Sequence, residues 1–267
     1  MKRFNFIPIV TRQLYLIKKT WLIATIYASI VLFALLLISK PIDESIKSGI
    51  FDLLADIGGV NGSTNHFMLM FVAIPVTVTI LTALIKNIES AKIALSLGSR
   101  FRIYHALVFS ALGFSLIFTI FIFLFSFLCG SLFVGFENAW LMPEGRISNL
   151  LRDSDKFQAI IPNLETYKVV LTLVITKFLS FIMLSFCVLF LYQLVKKSSV
   201  IMIILLILAG IDQTGVLGFP IFTWFGTLNI YNWLAPMTTV YHSVFLIALS
   251  LILYVVTGWL YERKDFI

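Results

Sequence analysis

Residues 198–261 read SSVIMIILLILAGIDQTGVLGFPIFTWFGTLNIYNWLAPMTTVYHSVFLIALSLILYVVTGWLY, and Asp212 is their one charge. No soluble fold hides so long an apolar run. A helix crosses the roughly 30 Å hydrocarbon core in about 20 residues. The stretch is therefore long enough for three crossings, or for two crossings and something between. Three would place the basic pair Arg263 and Lys264 outside, so two are expected, over 198–218 and 237–261. Residues 219–236 are apolar but rich in Gly, Pro, Asn and Trp. They suit a re-entrant or interfacial hairpin, tolerated at membrane depth only where protein or water satisfies its backbone.

The rest of the chain follows the same pattern. Hydrophobic residues make up 60% of the 267 and charged residues 12%, against about 45–50% and 25% in soluble domains. Further apolar runs cover 20–39, 67–85, 104–136 and 169–195, with Pro75 inside the second and Lys177 inside the fourth. The runs are unbroken rather than alternating, which excludes an outer-membrane barrel. The expected fold is an all-α integral membrane domain of six transmembrane helices. Nineteen residues precede the first run and no small-residue cleavage site follows it, so it reads as a permanent helix rather than a signal peptide.

Basic residues set the orientation. With the N-terminus inside, the inner side collects Lys2, Arg3, Arg12, Lys18, Lys19, Lys86, Lys92, Arg100, Arg102, Lys196, Lys197, Arg263 and Lys264. The outer side collects Lys40, Lys47, Arg146, Arg152, Lys156 and Lys168. Thirteen against six places both termini in the cytoplasm. The net charge of +7 is therefore a matter of topology and does not imply nucleic-acid binding.

Segments outside the membrane carry their own signals. Phe6, Ile7, Val10, Leu14 and Ile17 recur at helical spacing beside Arg12, Lys18 and Lys19, which predicts an interfacial helix over 1–19 anchored on anionic headgroups. In the first outer loop Ile46, Ile50, Leu54 and Ile57 predict a short amphipathic helix, with Asp52 and Asp56 on other faces and Gly58 and Gly59 at its end. The run 104–136 is about 50 Å long as a helix. It must tilt, break near Gly130 or Gly135, or project outward.

The inner loop 86–103 begins KNIESAKIALSLGSRFR. Ile88, Ala91, Ala94 and Leu95 share a helical face, Gly98 and Ser99 stop the helix, and Arg100 and Arg102 follow. It makes a short rigid handle feeding directly into a membrane helix.

The motifs of common chemistry are missing. There is no GxxxxGK[ST], GxGxxG or HExxH, and no G-x-S-x-G elbow. His66, His105 and His242 have no metal-ligand spacing, and Cys129 and Cys187 lie inside apolar runs. No catalytic residue or metal site is expected, and any ATP must be bound by another chain. Lys177 and Asp212 are the two charges within spans. Counted from the inner ends of their helices they reach similar heights, which predicts a pair across spans four and five; the other reading has Lys177 snorkelling outward and Asp212 capping a broken helix end.

The layout resembles the membrane (permease) subunit of a bacterial type-2 ATP-binding-cassette (ABC) transporter. The resemblance is carried by the basic N-terminal segment, the loop with Glu89, Leu95, Ser96, Gly98, Ser99, Arg100 and Arg102, the hairpin 219–236 and the charged end Tyr261-Glu262-Arg263-Lys264-Asp265. It implies that loop 86–103 is a coupling helix seated on an ABC ATPase. Two ATPase copies would bind ATP and Mg, joined to a second permease copy or a sister chain, in the cell membrane among its lipids. The implied activity is export of a small amphiphile, lipid or antimicrobial peptide by alternating access. The sequence departs from the family at His105, where a lysine is common. A proton- or ion-driven secondary transporter using Lys177 and Asp212 is the competing reading, and an intramembrane enzyme a third.

Overall fold

The computed structural model describes residues 12, 15–40, 47–55, 57–90, 93, 95, 97–216 and 218–263, and the following statements concern these. Their regular secondary structure is helical, apart from an isolated parallel bridge between Lys47 and Gly145. Five helices are long and apolar enough to cross a membrane: α1 (Lys18–Ser39), α3 (His66–Ile88), α4 (Arg100–Val134), α7 (Thr166–Val195) and α11 (Pro236–Glu262). A sixth apolar helix, α8 (Ser198–Thr214), has 17 residues. That is about 25 Å, short of a full crossing. The short helices α2 (Ile50–Leu54), α5 (Arg146–Leu151), α6 (Ser154–Ile160), α9 (Thr223–Gly226) and α10 (Ile230–Leu234) lie between them. This is the organisation of a multi-pass membrane protein.

The long helices run antiparallel in chain order. One end of the bundle therefore carries Lys18, Lys86, Arg100, Lys196 and Arg263, and is called the basic end here. The other is covered by a cap. The bundle core is aliphatic and aromatic, with Leu32, Val72, Phe114, Phe181 and Leu205 at its centre. Several of its buried hydroxyls bond back to the carbonyl one turn earlier, as Ser110 does to Ala106 and Thr119 to Ser115. That satisfies them without water. Ser115 and Ser185 also meet across α4 and α7 at 3.1 Å. Outward faces remain apolar, as with Ile23, Ile30 and Ile38 on α1 and Val244, Leu251 and Val255 on α11. Such faces suit lipid.

α3 is irregular where Pro75 requires it. Its first turn (His66–Met68) passes into a π-helical segment, Leu69–Ala73, before regular helix resumes at Ile74. Pro75 has no N–H to give the carbonyl of Phe71 four residues earlier. Tyr27 of α1 supplies the donor, its hydroxyl bonding that oxygen at 2.7 Å.

The cap has its own apolar core, of Ile50, Phe51, Leu54, Trp140, Ile147, Phe157, Leu164, Leu228 and Trp233. The expected short helix in the first outer loop is present as α2. Asp52, expected on another face, is instead buried and accepts from the Trp140 indole N–H at 2.8 Å and from the backbone of Gly49 at 2.9 Å. α4 does not break at Gly130. A side chain there would strike Ile50 Cδ1 at 2.7 Å, so the glycine is a close-packing site against α2. The helix ends at Gly135, whose φ of 73° is open to glycine at little cost. The cap thus receives the excess length of α4. Residue 46 and residue 56 lie outside the described residues, as does most of the expected interfacial helix over 1–19. Of its anchors, Arg12 is helical and exposed, and Lys18 and Lys19 open α1, with Lys18 Nζ 4.8 Å over the Tyr15 ring.

Candidate functional sites at the two ends of the bundle

The hairpin 219–236 folds as α9 and α10, inserted between α7, α8, α11 and the first turn of α3. A four-residue helix has orphan N–H groups at one end and orphan carbonyls at the other. In hydrocarbon each needs a partner from the protein. Asp212, in the last turns of α8, provides the first set. Its Oδ1 accepts from Ile221 N at 2.7 Å. Its Oδ2 accepts from the backbone of Phe222 (3.0 Å), Thr223 (2.6 Å) and Trp224 (3.1 Å), and from the Thr223 hydroxyl (2.6 Å). Lys177 of α7, fully buried, donates from Nζ to the carbonyl of Gly226 at the opposite end. An anion at the N-terminus and a cation at the C-terminus also match the helix dipole.

The expected ion pair of Lys177 with Asp212 is therefore corrected: among the described residues none joins them, and both charges terminate on α9. Sequence counting gave their similar depth. It could not show that the hairpin backbone lies between them.

Gly226 is where the hairpin comes closest to the bundle. A Cβ there would lie 2.8 Å from Ser180 Oγ and 3.3 Å from Leu69 Cδ1. The other side of α9 stacks Phe225 on Phe245 of α11 at 3.9 Å between centroids. α10 is tied to the cap by Ile230 N–H donating to Ile57 O at 2.9 Å and by the edge-to-face pair of Trp233 with Trp140. His66, at the start of α3, is buried with both ring nitrogens unpartnered. The charges of Asp212 and Lys177 both act on it. The polar run Ser63-Thr64-Asn65-His66 before a span is the sequence sign of its burial.

At the basic end the predicted handle is visible in part. Ile93, Leu95 and Leu97 are helical, while Ser96 lies outside the described residues. Leu97 is buried and anchors the segment, but Leu95 is 81% exposed. Gly98 turns the chain with φ 68°. Ser99 then caps α4, its hydroxyl accepting from Arg102 N at 3.3 Å. Arg100 and Arg102 thus belong to the first turn of α4 rather than to a loop, and Phe101 between them is 63% exposed. Arg102 Nη1 reaches Leu97 O at 3.5 Å across the turn.

The handle is also bolted to α11, which the sequence reading missed. Glu89 accepts a hydrogen bond from the Tyr261 hydroxyl. Arg100 Nη1 donates to the carbonyl of Glu262 at 2.6 Å. One turn further in, the Tyr104 hydroxyl donates to Tyr254 O, and the Tyr104 ring lies 5.4 Å from those of both Tyr254 and Tyr261. His105 Nδ1 donates to Phe101 O at 2.9 Å. That leaves Nε2 to accept from the Tyr254 hydroxyl at 3.3 Å. Tyr104 near the start of α4 and Tyr254 and Tyr261 near the end of α11 were the sequence sign of this contact.

Among the described residues no group of three His, Cys, Asp or Glu could hold a metal ion. Compared with known proteins, the chain matches no family model, no curated protein and no solved structure.

Proposed function

We propose that the chain is the permease subunit of an ATP-driven ABC exporter of the cell membrane, with loop 86–103 docking on a separate ATPase. One observation carries the reading. Leu95 and Phe101 stand exposed beside Arg100 and Arg102 on a turn whose other side is fastened to α11, at Glu89–Tyr261 and Arg100–Glu262. Exposed apolar residues flanked by cations favour a cleft with an apolar floor and an acidic rim. A push on that turn would reach α4 directly and α11 through the tyrosine cluster, while α3 leads into the same loop from the other side.

In this reading the basic end faces the cytoplasm, with both termini there. α8 and the hairpin together make the fifth crossing and α11 the sixth. Two permease chains and two ATPase copies, holding ATP and Mg, would form the complex. A small amphiphile, lipid or peptide would pass between the permeases by alternating access. The cap would close the outer face of each bundle.

The test is co-purification of a phosphate-loop ATPase with the tagged chain, with ATP turnover measured in the complex. Gly98→Val strains the turn and Arg100→Glu reverses the charge, so both should lower assembly or turnover. Unchanged assembly and turnover in both variants would end the proposal.

A secondary transporter is favoured by one observation, the convergence of His66, Lys177 and Asp212 around α9. Lys177 and Asp212 are, however, each committed to the backbone of that helix. That supports a structural use of both.

A further inference from the structure

We propose that a cleft at the basic end, between the start of α4 and the end of α11, binds an anionic phospholipid. The phosphate would lie at its rim and an acyl chain along its walls. The cleft has a volume of about 300 Å³. Its walls are largely aromatic and aliphatic, including Phe101, Tyr104, Tyr254, Val255 and Trp259. Gly258 forms part of the surface, and a Cβ there would lie 3.0 Å from Tyr104 Cε1, so the space depends on the missing side chain.

The rim is polar, and a further cation, Arg263, stands beside it. Arg100 lines it, held there by its bond to Glu262 O. Arg263 lies with its guanidinium 3.8 Å above the ring of Trp259. Glu262 also lines the cleft and offsets the charge of Arg100, so the net positive charge at its edge is that of Arg263 on Trp259. The Tyr254 hydroxyl and the His105 ring inside are already paired with each other and with backbone. The depth therefore has little to offer a polar ligand.

Position selects the occupant. The cleft sits where two apolar helices reach the basic end. Trp259, Phe101 and Val255 are all exposed around it, as aromatic and apolar residues are at a membrane interface. An apolar trough beneath a pair of guanidinium groups complements an amphiphile whose charge is at one end. A soluble anion would use only the rim. Arginine beside the membrane surface favours anionic lipid by a factor of about five per residue. The inference does not depend on the transporter reading.

The test is native mass spectrometry of the full chain, purified in detergent, stripped of lipid and offered equal amounts of phosphatidylglycerol and phosphatidylcholine. Phosphatidylglycerol should be retained preferentially. Arg263→Gln, at an exposed position, should lower that retention about fivefold. Val255→Trp, which fills the trough from an exposed position, should abolish the preference. Thermal unfolding of each variant checks that the fold is kept. Equal retention of the two lipids by the wild-type chain would overturn the proposal. So would wild-type retention in a folded Arg263→Gln variant. Displacement of the lipid by inorganic phosphate alone would also overturn it, because the rim would then bind free phosphate without the trough.

Discussion

Asp212 and Lys177 are buried among apolar helices and end on backbone atoms of α9, whereas Arg100, Arg102 and Arg263 at the opposite end stand exposed, Arg263 over the Trp259 ring. The two regions place similar charges in very different surroundings. A charge within a span is costly, about 2.5–3.5 kcal/mol on insertion scales. An interrupted helix at membrane depth is costly too, because its terminal N–H and C=O groups find no water. In the hairpin each cost offsets the other. At the basic end the charges stand at the exposed surface, where water and headgroups can solvate them.

The comparison predicts that the buried pair governs folding and the exposed set governs coupling. The largest effect is expected from Asp212→Ala. It orphans four backbone N–H groups and the Thr223 hydroxyl, at about 1–3 kcal/mol for each group left truly unpaired. The sum approaches the whole stability of an ordinary domain. The yield of monodisperse protein in detergent should collapse. The charge-swapped double variant, Lys177→Asp with Asp212→Lys, should not recover it. Each swapped charge would meet the wrong end of α9. Recovery would mean that the two side chains interact directly after all.

Lys177→Met should be milder. It leaves one carbonyl, that of Gly226, without its donor, at about 1–3 kcal/mol. It also removes the burden of a buried ammonium, which counts in the other direction. Thermal unfolding should show a loss clearly below that of Asp212→Ala, and an equal loss would break the assignment of their unequal roles.

Tyr261→Phe tests the other region. It removes the donor to Glu89 while keeping the ring, so a local loss of about 1.5–3 kcal/mol is expected from the hydrogen bond to a carboxylate. The melting temperature should change little, but amide exchange in residues 86–103 should accelerate. Unaltered exchange there would mean that α11 does not hold the loop.

The smallest effect is expected at Asp153 in the cap. Its carboxylate caps α6 by accepting from the backbone of Lys156 and Asp155. The Lys156 N–H is the leading cause holding its pKa below the usual carboxylate range. A depressed carboxylate contributes stability above its unfolded value, and that contribution is lost as the pH falls through the folded value, below about pH 4. Asp153→Ala should abolish the acid-linked loss of protection in α6, measured relative to intrinsic exchange rates, and leave the bundle untouched.

Much of this was legible in the sequence, for physical reasons that can be named. Long apolar runs announce membrane-length helices because lipid demands an apolar surface all round, and α1, α3, α4, α7 and α11 all fall on such runs. Gly98 and Ser99 announced a turn because one tolerates φ 68° and the other caps a helix. The hairpin was legible as an interruption, from its Gly, Pro and Asn content. Its partners were not, because Asp212 and Lys177 bond backbone atoms, which carry no mark in a sequence. The same reason hid the Tyr27 hydroxyl, which serves a carbonyl that Pro75 leaves without a donor. The cap was underestimated because its core is built from small contributions of three separate segments. Asp52 was misread because helical periodicity cannot anticipate an indole arriving from residue 140.

The central claim is that loop 86–103 is a cytoplasmic handle for an ATPase, and one labelling experiment addresses it directly. Cys129 and Cys187, the two native cysteines, are replaced by serine and Leu95 by cysteine. A membrane-impermeant maleimide is then applied to inside-out and right-side-out vesicles, with and without the co-expressed ATPase. The account predicts labelling in inside-out vesicles only, and loss of that labelling when the ATPase is present. Labelling from the outer face, or equal labelling with and without the ATPase, would contradict it.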